Sequence, residues 1–256
     1  MALLHISDLS HRFGGLQALA DFFLTLEGGS LVGLIGPNGA GKTTVFNLIT
    51  GVYRPTTGRI MFAGQEITGW PSHRIMAAGL GRTFQNIRLF KDLNALDNIR
   101  LGAFSHYGYS FFQALCRTAS FRRQEQQFTS RALEMLDRFG LRKYAQTPAR
   151  NLPYGEQRRL EIARALMSRP RLLLLDEPAA GMNQAETVAL VKLLRELWQE
   201  FQLTILLIEH HMGVVLDLCQ RVQVLDFGAT IFDGSPQEAQ QHPQVLEAYL
   251  GKDGEE

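Results

Sequence analysis

Three short apolar runs, at residues 31–35, 172–175 and 203–208, each predict a β-strand. The second and third are apolar almost throughout, which is typical of parallel strands buried on both faces of a sheet. Stretches with helical spacing of apolar residues lie between and after them, and residues 186–201 are the clearest example. This alternation of buried strands and amphipathic helices predicts an α/β core.

Shorter elements surround this core. Partial alternation and flanking turn residues predict strands at residues 3–9, 22–27, 59–63, 81–84, 222–225 and 229–232. Helical spacing and end signals predict helices at residues 45–50 and 71–79, after the capping residue Asn94, across 128–139, from 151–157 onward, and after Pro236 and Pro243. Because residues 85–155 are mostly helical in pattern, they are interpreted as an insert in the α/β core.

Residues 105–123 mix aromatic and basic side chains. Such a mixture indicates either stacking on nucleic acid or a helical insert with a solvated basic face. The net charge of the chain is only +1, so no general attraction to nucleic acid is expected. The second interpretation is therefore preferred, and no nucleic-acid partner is predicted.

Composition sets few further limits. With 256 residues, 45% of them apolar and 20% charged, the chain suits one large domain or a core with a subdomain. No apolar run approaches the ~20 residues that a membrane-spanning helix needs, and the N-terminus lacks the pattern of a signal peptide. The two cysteines, Cys116 and Cys219, have no metal-like spacing and indicate no disulfide framework.

A glycine-rich loop joins the strand at residues 31–35 to a helix. This loop and the first helical residues are Gly36, Pro37, Asn38, Gly39, Ala40, Gly41, Lys42, Thr43 and Thr44. Backbone N–H groups of such a loop surround phosphate oxygens, and the helix N-terminus adds partial positive charge. Lys42 is placed to reach the β- and γ-phosphates, and the Thr43 hydroxyl to bind Mg²⁺. A chance glycine-rich turn is the alternative, but the flanking strand and helix favour a nucleoside phosphate site.

Polar residues follow two of the buried strands. Asp176 and Glu177 end the run at residues 172–175, and residues 209–211, which include His210, end the next. Buried carboxylates are unfavourable unless they bind metal or take part in chemistry, and ligands bind at this edge of open α/β sheets. Taken singly, an Asp-Glu pair is more often a helix cap, and a histidine is more often structural. Their order and their placement at strand ends favour a hydrolytic site.

Two other candidates are less informative alone. Phe13 precedes a pair of glycines and is either a core residue or an aromatic face on which adenine stacks. Gln85 follows the strand predicted at residues 81–84, and by itself a glutamine carries almost no functional information.

Six motifs in this order resemble the nucleotide-binding subunit of an ABC transporter, over about residues 3–251. The glycine-rich loop is similar to the family's Walker A motif, and residues 172–178 are similar to Walker B with its catalytic glutamate. Gln85 matches the Q-loop and His210 the switch histidine. The other two motifs are the signature, at residues 152–166, and the D-loop, at residues 179–183.

Further stretches narrow the resemblance to the LivG-type subunit of bacterial branched-chain amino acid importers. These stretches are residues 12–16, 82–85, 88–90, 153–164, 177–183 and 248–251. Close relatives of that type import urea or other amides, so an importer of those solutes or of another amino acid is an alternative. A soluble ABC ATPase of DNA repair or translation is a second alternative, although its usual coiled-coil insertion or tandem cassette is missing from this sequence.

The resemblance implies a P-loop NTPase (RecA-like) core with an antiparallel β subdomain and an inserted α-helical subdomain. One ABC domain would span residues 1–256. Its α/β core would comprise residues 1–84 and 161–256, and its helical subdomain residues 85–160.

The resemblance also implies that ATP and Mg²⁺ are the cofactors. Adenine would stack on Phe13, and Mg²⁺ would be held by Thr43, Gln85 and Asp176. The catalytic residues would be Glu177, which orients or deprotonates the attacking water, together with His210 and Gln85.

The implied partners are a second ATP-binding subunit and the permease subunits of a transporter. In a head-to-tail dimer, the signature residues Pro153, Tyr154, Gly155, Glu156 and Gln157 would close the partner's ATP site. A permease helix would dock beside Gln85 and hold the protein on the cytoplasmic face of the bacterial inner membrane. A periplasmic or extracellular solute-binding protein would act indirectly.

Three residues depart from the family's usual pattern. Pro153 stands where serine is common, and proline has neither a hydroxyl nor an N–H to offer a γ-phosphate. Asn183 replaces the common D-loop aspartate, although it is typical of the LivG type. His211 replaces the aspartate that usually follows the switch histidine.

Overall fold

The computed structural model describes residues 2–103 and 111–250. The strands are β1 (Ala2–Phe13), β2 (Leu16–Glu27), β3 (Leu31–Ile35), β4 (Thr57–Phe62), β5 (Gln65–Glu66), β6 (Leu80–Arg82), β7 (Leu172–Asp176), β8 (Thr204–Ile208), β9 (Arg221–Asp226) and β10 (Ala229–Gly234). The α-helices are α1 (Lys42–Ile49), α2 (Ser72–Ala77), α3 (Ala95–Gly102), α4 (Phe111–Leu115), α5 (Ala119–Arg138), α6 (Tyr154–Met167), α7 (Gln184–Phe201), α8 (Met212–Leu218), α9 (Pro236–Ala239) and α10 (Pro243–Leu250). None of these helices is both long enough and apolar enough to cross a bilayer.

The strands form two sheets. The larger has the order β10-β9-β3-β8-β7-β6, with parallel pairing from β9 to β6 and an antiparallel edge strand, β10. The smaller, of order β2-β1-β4-β5, is antiparallel throughout. The predicted α/β class, with an antiparallel β subdomain beside a parallel core, is therefore confirmed.

Two apolar cores lie on opposite faces of the parallel sheet. Successive side chains of a strand point to opposite faces, so Leu172 and Leu174 of β7 pack with α1 and the antiparallel sheet. Leu173 and Leu175 pack instead with the helices of the other face. Every residue of β3, β7 and β8 is buried, which explains why these strands lack polar alternation.

A helical layer built from α3, α5 and α6 covers one end of the second core. Asn94 caps α3, its side chain accepting a hydrogen bond from the N–H of Asp97 at 2.7 Å. Phe128, Ala132 and Leu136 form the buried face of α5, at the spacing that the sequence predicted. Helix α6 is continuous, so the subdomain boundary proposed between residues 160 and 161 falls inside it.

Several element bounds differ from the sequence predictions. Helix α1 begins at Lys42 rather than at residue 45, because the end of the glycine-rich motif already forms the first helical turn. Strand β6 ends at Arg82 rather than at residue 84. Helix α8 was not predicted, since its seven residues offer few helical repeats and Gly213 lies in its first turn. Of the aromatic and basic segment, residues 105–110 lie outside the described part of the chain.

Candidate functional site

The glycine-rich loop lies between β3 and α1, at the carboxyl edge of the parallel sheet. Gly36 has φ +144°, and a Cβ there would lie 2.0 Å from the carbonyl oxygen of Leu225 on β9. Gly41 is the N-cap of α1, and the N–H of Val45 donates to its carbonyl oxygen at 3.0 Å. The earlier N–H groups of this first turn have no helical acceptor, so they are available for an anion.

Lys42 is buried at the centre of the loop. Its Nζ donates hydrogen bonds to the carbonyl oxygens of Gly36 and Pro37, both at 2.7 Å. Burial lowers the pKa of Lys42, and the nearby carboxylates of Glu177 and Asp176 partly oppose that shift. The ammonium group thus contacts the loop carbonyls and lies near the two strand-end carboxylates.

Asp176 ends β7 in a buried polar network. Its Oδ2 accepts a hydrogen bond from Nη2 of Arg82 on β6 at 3.2 Å. Nη1 of Arg82 donates to Asn47 Oδ1 at 2.8 Å and to Thr50 Oγ1 at 2.9 Å, both on or just after α1. Burial raises the pKa of Asp176, and Arg82 opposes that shift. Arg82 thus joins β7 to α1 and the residue that follows it.

We expect Arg82→Met to lower the free energy of unfolding by about 3 kcal/mol, because it leaves a buried carboxylate without its partner. Without Arg82, the pKa of Asp176 rises further above its ordinary value of 3.8. Protonation of Asp176 removes the unpaired charge in the variant. The difference in free energy of unfolding between wild type and variant therefore has its full value at pH values above the raised pKa. It shrinks as the pH falls through that pKa. Urea unfolding at a series of pH values measures this difference.

Arg142→Met is the matched control for this prediction. Arg142 pairs with Asp137 at 3.3 Å, but both side chains are more than half exposed. Exposed pairs contribute about 0–1 kcal/mol, so the control is expected to lose little stability. Equal losses in the two variants, or a loss from Arg82→Met that does not vary with pH, would contradict the prediction.

The three predicted catalytic side chains meet in one cluster. Gln85 Nε2 donates to Oε2 of Glu177 at 2.9 Å, and Nε2 of His210 lies 2.7 Å from Oε1 of the same carboxylate. Glu177 has a left-handed φ of +46°, an unfavourable conformation for a residue with a side chain. Its N–H donates to the carbonyl oxygen of Ile208 at 2.9 Å, so neighbouring strands hold this turn in place.

Glu209 supports this cluster, and the sequence predicted no role for it. The buried carboxylate accepts hydrogen bonds from the N–H of Ala179 at 2.9 Å and from that of His210 at 3.1 Å. Burial raises the pKa of Glu209, and these backbone bonds oppose the shift. Glu209 therefore joins the turn after β7 to the turn after β8. The one sequence feature that could have indicated a role for Glu209 is its position at the end of an apolar strand.

The residues proposed for Mg²⁺ present oxygen atoms of suitable chemistry. Thr43 is exposed at the start of α1, and Gln85 uses its amide nitrogen on Glu177, which leaves its amide oxygen for a cation. In the described part of the chain, no hydrogen bond to Oδ1 of Asp176 is found. Mg²⁺ prefers such hard oxygen ligands together with water and phosphate, so the residues fit this cation.

Phe13 lies at the end of β1 and is 43% exposed, so it is not a core residue. Its ring makes edge contacts with His11, at a centroid distance of 4.6 Å, and with Tyr53, at 5.2 Å. His11 and Tyr53 stack on each other with an interplanar angle of 6°. His11 and Tyr53 thus support the ring of Phe13, and the exposed part of that ring remains available to a planar ligand.

The predicted signature residues begin α6. Among the described residues, no hydrogen bond or ion pair joins residues 153–157 to the phosphate loop or to Glu177. Pro153 is the N-cap of α6 and makes no side-chain cap hydrogen bond. A Cβ on the buried Gly155 would lie 2.9 Å from Oε1 of Glu186, so this glycine allows close packing against the start of α7.

The C-terminal helix also reaches the phosphate loop. Burial raises the pKa of Tyr249 on α10, and the nearby backbone of Gly36 opposes that shift. A cavity of about 620 Å³ lies between the two segments and is lined by residues 37–40 and by Gln244, Glu247 and Ala248. The sequence did not predict this contact, because α10 follows the loop by some 200 residues.

Comparisons with known proteins identify the family of this chain. A family model described as ABC transporter matches residues 19–180, and one described as branched-chain amino acid ATP-binding cassette transporter matches residues 229–255. The high-affinity branched-chain amino acid transport ATP-binding protein BraF of Pseudomonas aeruginosa is 46% identical over 98% of both chains. The corresponding LivG protein of Escherichia coli K12 is 44% identical, again over 98% of both.

The fold has a counterpart among solved structures. The ADP conformation of MJ1267, an ATP-binding cassette of an ABC transporter, superposes with a TM-score of 0.85 at 28% identity. The match covers 98% of this chain and 100% of that one. The likeness therefore includes both sheets and the helical layer.

Proposed function

Since this chain belongs to the ATP-binding ATPases of ABC transporters of the branched-chain amino acid type, we propose that it energises an importer of those amino acids by hydrolysing Mg²⁺-bound ATP at the site described above. The carboxylate of Glu177, held between Gln85 and His210 beside the phosphate loop, is the observation that carries the catalytic part. It supplies a base next to the position where the γ-phosphate would lie.

The chain's own residues divide the work of hydrolysis. Lys42 and the free N–H groups of the loop bind the β- and γ-phosphates. Thr43, Gln85 and Asp176 would hold Mg²⁺, which would neutralise charge on those phosphates. Glu177 takes a proton from the attacking water as the new P–O bond forms and the bond to the ADP oxygen breaks. When ATP binds, His210 leaves Glu177 and contacts a γ-phosphate oxygen instead.

A second ATP-binding subunit completes the site in this proposal. Among the described residues, the signature makes no hydrogen bond or ion pair with its own phosphate loop, and in this proposal it serves the loop of a head-to-tail partner. The first turn of α6 then presents its N-terminus to the partner's γ-phosphate. Pro153 brings no hydroxyl to that contact, so the backbone beyond it must supply the donors.

A groove beside Gln85 is the proposed docking site for the permease. It has a volume of about 710 Å³ and lies between α2, α3, α6 and the segment that follows β6. Its apolar lining includes Met76, Leu89, Phe90 and Leu101, and Arg88 and Arg164 add positive charge. A helix of a permease subunit in this groove would hold the protein on the cytoplasmic face of the inner membrane. The solute-binding protein, on the other side of the membrane, would act on this chain only through the permease.

Purification of the tagged chain from the membranes of its own cells tests the proposal. We expect permease subunits and a second ATP-binding protein to copurify. In proteoliposomes with the solute-binding protein, ATP hydrolysis is expected to rise with leucine, isoleucine or valine but not with urea. Failure to recover a membrane protein would contradict the transport role, and stimulation by urea alone would contradict the solute.

Phe90→Glu and Phe23→Glu are a matched pair for the docking groove. Both phenylalanines are about half exposed, at 54% and 52%, but Phe23 lies on β2 outside the groove. The first substitution is expected to abolish copurification of the permease while ATP binding remains. The second is expected to change neither.

A further inference from the structure

Arg158 is the largest fully buried side chain among the described residues. It lies on α6, one turn after the start of the signature, and its guanidinium group points at the chain that follows β6. Nη1 donates to the carbonyl oxygen of Phe84 and Nη2 to that of Gln85, both at 2.7 Å. One side chain of the signature helix thus holds two successive carbonyl groups of the Q-loop.

Glu161 completes this attachment from the next turn of the same helix. Its Oε2 accepts a hydrogen bond from Arg158 at 3.0 Å, and its Oε1 accepts one from the N–H of Arg88, also at 3.0 Å. The pair is almost fully buried, with side-chain exposures of 0% and 1%. Together the two side chains bind three backbone groups of residues 84–88, which we call the Q-segment.

The Q-segment has few other restraints. Among the described residues, its backbone makes no hydrogen bond to another backbone group, and the next such bonds are those of Thr83 and of residues 90–93. Just beyond it, Asn98 of α3 binds both the N–H and the carbonyl oxygen of Phe90 at 3.0 Å. The hydrogen bond from Gln85 to Glu177 is the contact of the Q-segment with the catalytic carboxylate.

We propose that the Arg158–Glu161 pair is a positioning device, which fixes the Q-segment to the signature helix and so determines where Gln85 meets Glu177. A movement of α6 then carries the Q-segment with it as one body. The proposal rests on the proposed function in one respect, since α6 begins with the signature that faces the partner's ATP. Closure of that partner site would thereby reach Gln85 in the subunit's own site.

A merely structural role is the alternative. Buried ion pairs are often replaceable by apolar residues of similar volume without loss of stability, so a pair that serves only packing should be dispensable. A pair that positions Gln85 should instead be required for turnover even when the fold remains stable. The two roles differ in what an apolar replacement does to the rate constant of hydrolysis.

The decisive variant is Arg158→Met/Glu161→Leu, measured with the full-length protein. We expect amide hydrogen exchange of residues 84–90 to accelerate at least about tenfold, because their backbone partners are lost. We expect kcat for ATP hydrolysis to fall about tenfold while KM for ATP stays within about twofold, because the phosphate loop and the other two residues proposed for Mg²⁺, Thr43 and Asp176, are untouched. Arg158→Lys, which keeps the charge but not the forked geometry, is the second variant if the first does not fold.

A double-mutant cycle with Gln85→Ala tests the route of the effect. If the pair acts through Gln85, its replacement in the Gln85→Ala background should change kcat by less than about twofold. If the losses in kcat from the pair replacement and from Gln85→Ala multiply, the proposal is overturned. It is also overturned if the folded pair variant keeps wild-type kcat and wild-type hydrogen exchange at residues 84–90. Leu194→Ala, a core truncation in α7, controls for general destabilisation and is expected to leave kcat unchanged.

The exchange measurement separates this proposal from the proposed function. If the wild-type protein hydrolysed no ATP under any condition, the catalytic role of the site would fail. The exchange of residues 84–90 would still show whether the pair restrains them.

Discussion

Glu177→Gln is expected to lower ATP hydrolysis at least about 100-fold while ATP binding is retained, because general-base catalysis typically contributes 10²–10⁴-fold. The amide keeps the size of the carboxylate and can still contact Gln85 and His210, but it cannot take a proton from water. The phosphate loop and Lys42 are unchanged, so ATP should still bind and hold the dimer closed. Phosphate release, nucleotide titration and the mass of the complex in solution measure the three effects.

Glu66→Gln is the control for this substitution. Glu66 is exposed on β5 of the antiparallel sheet, so the same loss of charge occurs away from the site. Turnover by this control should match wild type. Wild-type turnover by Glu177→Gln would instead show that another group activates the water, and failure of that variant to bind ATP would show that Glu177 is needed for the fold of the site.

Lys42→Met is expected to weaken ATP binding at least about 100-fold, since charge-assisted hydrogen bonds contribute about 1.5–3 kcal/mol each and Lys42 is placed to reach two phosphates. In the structure its Nζ binds Gly36 and Pro37 through their carbonyl oxygens. Phosphate oxygens would take over these contacts. Methionine fills similar volume, so the loss should come from the missing charge. Titration with a fluorescent ATP analogue measures the dissociation constant.

Lys192→Met is the matched control, because Lys192 is an exposed residue of α7 in a long pair with Glu196 at 4.0 Å. Its affinity for ATP should equal that of wild type. Urea unfolding of Lys42→Met must accompany the titration, since removal of the ammonium group leaves two loop carbonyls without a donor. An unchanged dissociation constant in a folded Lys42→Met protein would refute the role of this lysine.

The sequence by itself determined the class of fold and the phosphate loop. The loop is a single covalent stretch, so the spacing of residues 36–44 identifies it without reference to distant parts of the chain. Buried strands are likewise indicated locally by short continuous apolar runs, and amphipathic helices by their periodicity. The order of the motifs then indicated the family, which the comparisons show.

Only the tertiary structure decided which side chains support the site. Arg82 and Asp176 are 94 positions apart in sequence, and Arg158 lies 73 positions from Gln85. Glu209 binds Ala179 across 30 positions. Such pairs meet because parallel strands bring their carboxyl ends to one edge and α6 packs beside the chain that follows β6, and no local pattern records which residues will face each other there. The sequence could predict which groups act on ATP, whereas the folded chain was required to show what holds those groups in place.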